Sequence, residues 1–204
     1  MDIKTTRRAL FVAAPALLLP MPAFALSPAD KGLVDKATAF LQGMPSARGR
    51  FVQTDSRGSV TQGVLYLQRP GRARFEYDAP SSLLVVSDGK VVSVTDKRLK
   101  TVNRYFLSQT PLKLFLADEI RLDRGVHISR VNRLADGFEI TAQDRVGKTK
   151  GQIVLTFAEN PMQLLGWTIT DARNAATQVR LTSLVRTSDL DPALFKAPFS
   201  GSSS

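Results

Sequence analysis

Cysteine is absent from all 204 residues. Disulfides, thiolate metal sites and cysteine nucleophiles go with it. An exported bacterial lipoprotein carries its lipid on a cysteine at the cleavage site, so this chain is not expected to be a lipoprotein itself. Histidine is nearly as scarce: His127 is the only one. No nucleophile-elbow serine and no H-x-x-x-H pair accompanies it, so neither Ser-His-Asp hydrolysis nor a histidine zinc centre has residues to rest on. His127, in Val126-His127-Ile128, reads as a surface strand histidine. Also missing are a D-x-D-x-D-G calcium loop and a Gly-rich loop leading from a strand into a helix. The expectation is a protein with no catalytic residues, no metal and no cofactor. Long apolar runs are lacking too, since nothing approaches the ~20 residues needed to span a bilayer.

The first 25 residues read as a secretory signal: Lys4, Arg7 and Arg8 form a positive start, Ala9 to Leu19 an apolar stretch, and Ala23-Phe24-Ala25 a cleavage site. The adjacent arginines in Thr6-Arg7-Arg8-Ala9 fit a twin-arginine signal or an ordinary one. A soluble exported protein follows. The formal net charge is +10, which favours anionic partners such as lipid headgroups or acidic protein surfaces. Nucleic acid is the weaker reading and is not expected as a partner, because the protein is exported and its basic residues are spread along the chain.

Ser27-Pro28-Ala29-Asp30 is a helix start, with Ser27 as N-cap, Pro28 at the first helical position and Asp30 completing a capping box. Leu33, Ala37, Phe40 and Leu41 then make one apolar face that should lie on the sheet that follows. From Arg48 onward the period is two, with turn signals every eight to twelve residues, the mark of an antiparallel all-β body. About eleven strands are expected. They centre on 48–55, 60–68, 72–78, 83–87, 91–96, 99–105, 126–134, 138–143, 151–157, 163–171 and 177–185. One segment, Thr110 to Asp118, breaks the pattern as a short, nearly all-apolar helix with Thr110 as N-cap and Pro111 behind it. Such a helix must be covered on most sides, as a lid over a concave sheet or a plug in its end. Residues 26–199 read as one domain and 200–204 as a flexible tail.

The stretch Gly63 to Tyr77 holds an anomaly. Gly63, Leu65, Leu67 and Arg69 share one strand face, while Val64, Tyr66 and Gln68 share the other, so both faces are largely apolar. In the next strand Arg72, Arg74, Glu76 and Asp78 face one way and Ala73, Phe75 and Tyr77 the other. Arg69 therefore sits in register with leucines, and a desolvated guanidinium is costly unless paired. It either snorkels to the rim or reaches backbone carbonyls or polar side chains across the mouth as a latch. Trp167, Phe75, Tyr77, Phe115 and Leu65 could line a ligand cavity or fill an ordinary core.

The chain resembles the LolA family of periplasmic lipoprotein carriers. Carrying the resemblance are Phe51-x-Gln53, Gly63-x-Leu65-x-Leu67-x-Arg69-Pro70, Arg74-Phe75-x-Tyr77, Pro80, Ser87-Asp88-Gly89-Lys90 and Thr110-Pro111-Leu112. Trp167-x-Ile169-x-Asp171 and Leu190-x-Pro192-x-x-Phe195 complete it. It implies an unclosed eleven-stranded antiparallel β-barrel with an N-terminal helix and a short helical lid over a hydrophobic cavity. It further implies a monomeric chaperone that takes lipidated proteins from an inner-membrane ABC transporter and hands them to an outer-membrane acceptor. Phe51, Leu65, Leu67, Phe75, Tyr77, Leu112, Phe115 and Trp167 match the acyl-chain wall, the helix at Pro111 matches lid material, and Arg69 matches the arginine that latches the lid. Phe75 stands where many relatives have tryptophan, and the C-terminal segment of enterobacterial carriers looks short or absent. The competing reading is a lipid-binding or envelope-sensing module of the same fold.

Overall fold

A computed structural model describes residues 26–197 except 121, 123–125 and 145–150. The expected signal segment 1–25 and the expected flexible tail 200–204 lie outside the described residues. Helix α1 (Pro28–Gln42) starts as its sequence dictates: the Ser27 hydroxyl accepts the Asp30 N–H at 3.1 Å and donates to the Asp30 carboxylate at 2.7 Å, with Pro28 at the first position. Eleven strands follow: β1 (Ser46–Thr54), β2 (Val60–Gln68), β3 (Arg72–Tyr77), β4 (Leu83–Asp88), β5 (Val91–Asp96), β6 (Thr101–Phe106), β7 (Val126–Arg133), β8 (Gly137–Asp144), β9 (Gly151–Glu159), β10 (Met162–Asp171) and β11 (Ala176–Arg186). All eleven expected strands are present. The sixth starts two residues later than expected, at Thr101, because Leu99 belongs to the preceding turn.

The strands form one antiparallel sheet in the order β6-β5-β4-β3-β2-β1-β11-β10-β9-β8-β7, with β6 and β7 as unpaired edges. Every pair joins chain neighbours except β1 and β11. The sheet is strongly curled. Phe75 on β3 and Trp167 on β10 stand four strands apart, about 19 Å along the sheet, yet their ring centroids are 6.1 Å apart. Only a sheet folded round on itself brings them together. The pairing register shifts at Arg50/Phe51, Ile128/Arg130 and Leu164/Gly166, and bulges of this kind bend a strand and increase its twist.

The inner face is apolar. Strand residues such as Phe51, Leu65, Ile140, Leu155 and Phe157 form one cluster with Leu33, Val34, Ala37 and Leu41 of α1. Phe40 meets Phe157 edge-on at 6.3 Å, and Lys36 pairs with Glu159 at 2.6 Å, so α1 lies against the inside of the curl. The connection from β6 to β7 enters the same interior, burying Leu107, Leu116, Ile120 and Leu122. A smaller buried group lies outside, where Leu84 and Val86 face away from the interior. There the turn Pro192–Phe195 packs on β3 and β4, and Arg74 Nη1 donates to the Leu194 carbonyl at 3.2 Å.

The segment after β6 departs from expectation. A 3-10 turn (Leu107–Gln109) comes first, and α2 (Lys113–Leu116) is a single turn with no side-chain cap. Thr110 does not cap it: its hydroxyl donates back to the Leu107 carbonyl at 3.0 Å, so the preceding turn has taken the group that was to start the helix.

Phe157 is fully buried, stacked on Phe138 at 5.3 Å and touched by Phe40. Phe157→Ala should lower the unfolding free energy by about 3–5 kcal/mol, measured by urea denaturation; a loss near zero would mean that α1 does not rest on this ring.

Candidate functional site

The interior wall is built from alternation. On β2 the positions Gly63, Leu65 and Leu67 point inward and are buried, and on β3 so are Ala73 and Phe75. Three edge-to-face contacts link four rings: Tyr77 to Phe51 at 5.2 Å, Phe51 to Phe75 at 5.6 Å, and Phe75 to Trp167 at 6.1 Å. This geometry suits the ring quadrupoles. The Tyr77 hydroxyl donates to Gln53 Oε1 at 2.8 Å, which satisfies that hydroxyl. Burial nevertheless disfavours the phenolate, and the Tyr77 hydroxyl is pushed up to about 12 despite that bond.

Arg69 follows the inward leucines of β2 at the end where α1 stops. Its backbone N–H donates to the Pro45 carbonyl at 2.8 Å. Its Nη2 donates to the carbonyls of Leu41, of Gln42 at 3.3 Å and of Met44 at 2.7 Å. The last carbonyls of a helix have no partners within it, and the helix dipole makes that end negative. α1 has no basic residue in its own last turn; the strand supplies one. Partial burial lowers the pKa of the guanidinium, against the opposing charge of Asp118.

Three further bonds tie the same corner to the strap after β6. The Gly71 N–H donates to the Leu116 carbonyl at 2.6 Å. Gln42 Nε2 donates to the Asp118 carbonyl at 3.3 Å while its Oε1 accepts the Ile120 N–H at 2.8 Å. Gly71 has φ 73, and a Cβ there would lie 2.6 Å from Gly89 Cα, so the turn needs a glycine twice over. The buried Ser87 hydroxyl donates to the Gly71 carbonyl at 2.6 Å and fixes that turn to β4. The end of α1, the β2–β3 turn and the strap thus meet in one hydrogen-bonded corner.

The structure places the sequence-selected residues as follows. Phe51, Leu65, Leu67, Phe75 and Trp167 lie together in the buried cluster, with Tyr77 and Leu112 half-buried against it. The side chain of Phe115 lies outside the described residues. Arg69 reaches α1 rather than the segment after Pro111. Sequence reasoning gave no role to Gln42, or to Ser87 beyond its place in the Ser87-Asp88-Gly89-Lys90 hairpin. A polar residue at a helix end or on a strand carries no signal of a partner roughly 80 or 16 positions away. His127 is exposed on the edge strand β7, beside a cavity of about 530 Å³ that none of the selected wall residues lines. Among the described residues no group of three or more acidic or histidine side chains could hold a metal ion, and no helix is long and apolar enough to cross a membrane.

Residues 42–198 match the family model described as outer membrane lipoprotein carrier protein LolA. The chain is similar to an outer-membrane lipoprotein carrier protein of Azotobacter vinelandii, 34% identical over 142 residues, 64% of this chain and 63% of that one. It thus spans under two thirds of the length of that relative. A carrier of the same description from Chromobacterium violaceum is 27% identical over 177 residues, 83% of this chain and 84% of the other. Among solved structures, a LolA superfamily protein from Nitrosomonas europaea aligns at 11% identity with a TM-score of 0.47, covering 82% of this chain and 96% of that one.

The ordinary tyrosine value is near 10 and that of folded Tyr77 about 12. Between these, the folded chain keeps a proton that the unfolded chain has lost, so the stabilisation is complete below pH 10 and disappears as pH rises through 12. Tyr77→Phe should flatten the fall of unfolding free energy across that window. An unchanged slope would assign the alkaline transition to another group.

Proposed function

The chain belongs to the LolA family of outer-membrane lipoprotein carriers, and from that membership we propose that it carries lipidated proteins through the periplasm from the inner to the outer membrane. It loads from an inner-membrane ABC transporter, delivers to an outer-membrane acceptor, and works as a monomer without catalysis. The acyl chains enter the curled sheet when α1 and the strap move off the wall formed by Phe51, Leu65, Leu67, Phe75, Tyr77, Leu112, Phe115 and Trp167. Arg69 is the latch of the closed form. The observation that carries this reading is the Arg69 guanidinium, drawn from a leucine-faced strand onto the last carbonyls, Leu41 and Gln42, of a helix that covers an apolar interior.

The magnitudes fit a carrier that must both load and release. An acyl chain of roughly fifteen methylenes gains on the order of 12 kcal/mol on leaving water. Hydrogen bonds to a charged group contribute about 1.5–3 kcal/mol each; two such bonds at Arg69 sum to roughly 3–6 kcal/mol. Cargo entering from water therefore outweighs the latch. At a bilayer the hydrocarbon term nearly cancels, because the chain leaves one apolar medium for another. Reclosure of the latch is then the term that drives release.

Purified protein should bind an acylated lipoprotein and not its unacylated form, and should release lipoproteins from spheroplasts; equal binding of the two forms would sink the proposal. Arg69→Leu should load normally but pass its cargo on about a hundredfold less completely, in line with a loss of roughly 3 kcal/mol. Normal transfer by that variant would remove the latch.

A further inference from the structure

Three turns at one end of the sheet share a plan. Asp55-Ser56-Arg57, Asp96-Lys97-Arg98 and Asp171-Ala172-Arg173 each follow a strand, and in each the aspartate Oδ1 accepts the N–H of the arginine two residues on, at 2.9, 2.9 and 2.8 Å. The first and third are three-residue loops in which Gly58 or Asn174 takes the positive φ. The second, between β5 and β6, is one residue longer: Asp96 pairs with Thr101, and Lys97, Arg98, Leu99 and Lys100 stand between.

All four are exposed, and Leu99 is 60% exposed. Lys100 takes φ 54, a conformation that glycine or asparagine adopts with less strain. The tip therefore keeps a third cation where the other two turns keep a turn former. Asp96 also holds the tip stiff, accepting from Leu99 N–H at 3.0 Å and from the Ser82 hydroxyl at 2.7 Å. A leucine held in water between cations contributes nothing to the core. It is placed for a partner with an apolar layer beneath an anionic one.

We propose that the β5–β6 tip is a contact for an anionic phospholipid surface. Leu99 enters the acyl boundary while Lys97, Arg98 and Lys100 lie on headgroup phosphates, each cation near such a surface adding to the attraction. Arg57 and Arg173, on the β1–β2 and β10–β11 tips farther along the same end of the sheet, add positive charge to that end. Because the tip is already ordered by Asp96, little conformational freedom is lost on contact. An acidic protein would satisfy the cations, but a lone leucine ringed by them fits the layered chemistry of a bilayer better. The inference is independent of the carrier reading, since it concerns membranes that contain no lipoprotein.

The test is sedimentation of the chain from Leu26 onward, which contains every element described, with vesicles of equal phosphatidylglycerol and phosphatidylcholine and with pure phosphatidylcholine. Binding to the anionic vesicles alone, weakened by added salt, is expected. Combined Lys97→Glu, Arg98→Glu and Lys100→Glu should reduce it by a hundredfold or about that, and Leu99→Asp roughly tenfold. The control is an equal charge reversal at the opposite end, Lys90→Glu, Lys113→Glu and Arg133→Glu, which should leave most of the binding. Circular dichroism checks that each variant is folded. No vesicle binding by the unaltered protein, an equal loss in the control, or an unchanged Leu99→Asp would each overturn the proposal, and capture of the tip by acidic proteins but not by vesicles would reassign it.

Discussion

A helix that ends over an apolar interior must find donors for its last carbonyls, and here one guanidinium from a strand provides them. This requirement organises the corner where α1, the β2–β3 turn and the strap after β6 converge. A hydrophobic closure would be nondirectional and would strengthen with every methylene added. The contact through Arg69 Nη2 is directional, and it is lost when α1 shifts by a few ångströms. On the carrier proposal, a contact that is either made or broken suits a container that must be shut or open.

The interior shows how a sheet can be wall and contents at once. Phe51, Phe75 and Trp167 come from β1, β3 and β10 and touch one another across the curl. Packing them together occupies space that a bound chain would need.

The strands were legible because alternation and turn chemistry are local: Val60 to Gln68 declares its two faces within nine residues, and all eleven strands announce themselves in that way. Arg69 was legible as an anomaly, being out of keeping with the leucines of its own face. Its partners were not legible, because backbone carbonyls carry no residue signature. Gln42 illustrates the limit: it bridges to Asp118 and Ile120, and nothing in its neighbours marks it out. The start of α2 was misjudged for a related reason. Thr110 is a good cap by type, but its hydroxyl had a competing acceptor three residues earlier. The meeting of Phe75 with Trp167 depends on curvature, which accumulates over several strands and leaves no mark at any single one.

The pairing of β1 with β11 is the one place where the sheet joins strands distant in the chain. On either side of it lie two meanders, β1 to β6 and β7 to β11, each made of successive hairpins. Local hairpins close quickly, whereas a contact spanning well over a hundred residues must wait for the loop between them to be ordered. The order of assembly is thus written into the topology: two half-sheets form first, and the β1–β11 seam then stitches them together. Until that seam is made, the apolar face of each half is open to water and to other chains. The period of greatest exposure to aggregation in the life of this protein is the interval before its first strand meets its last.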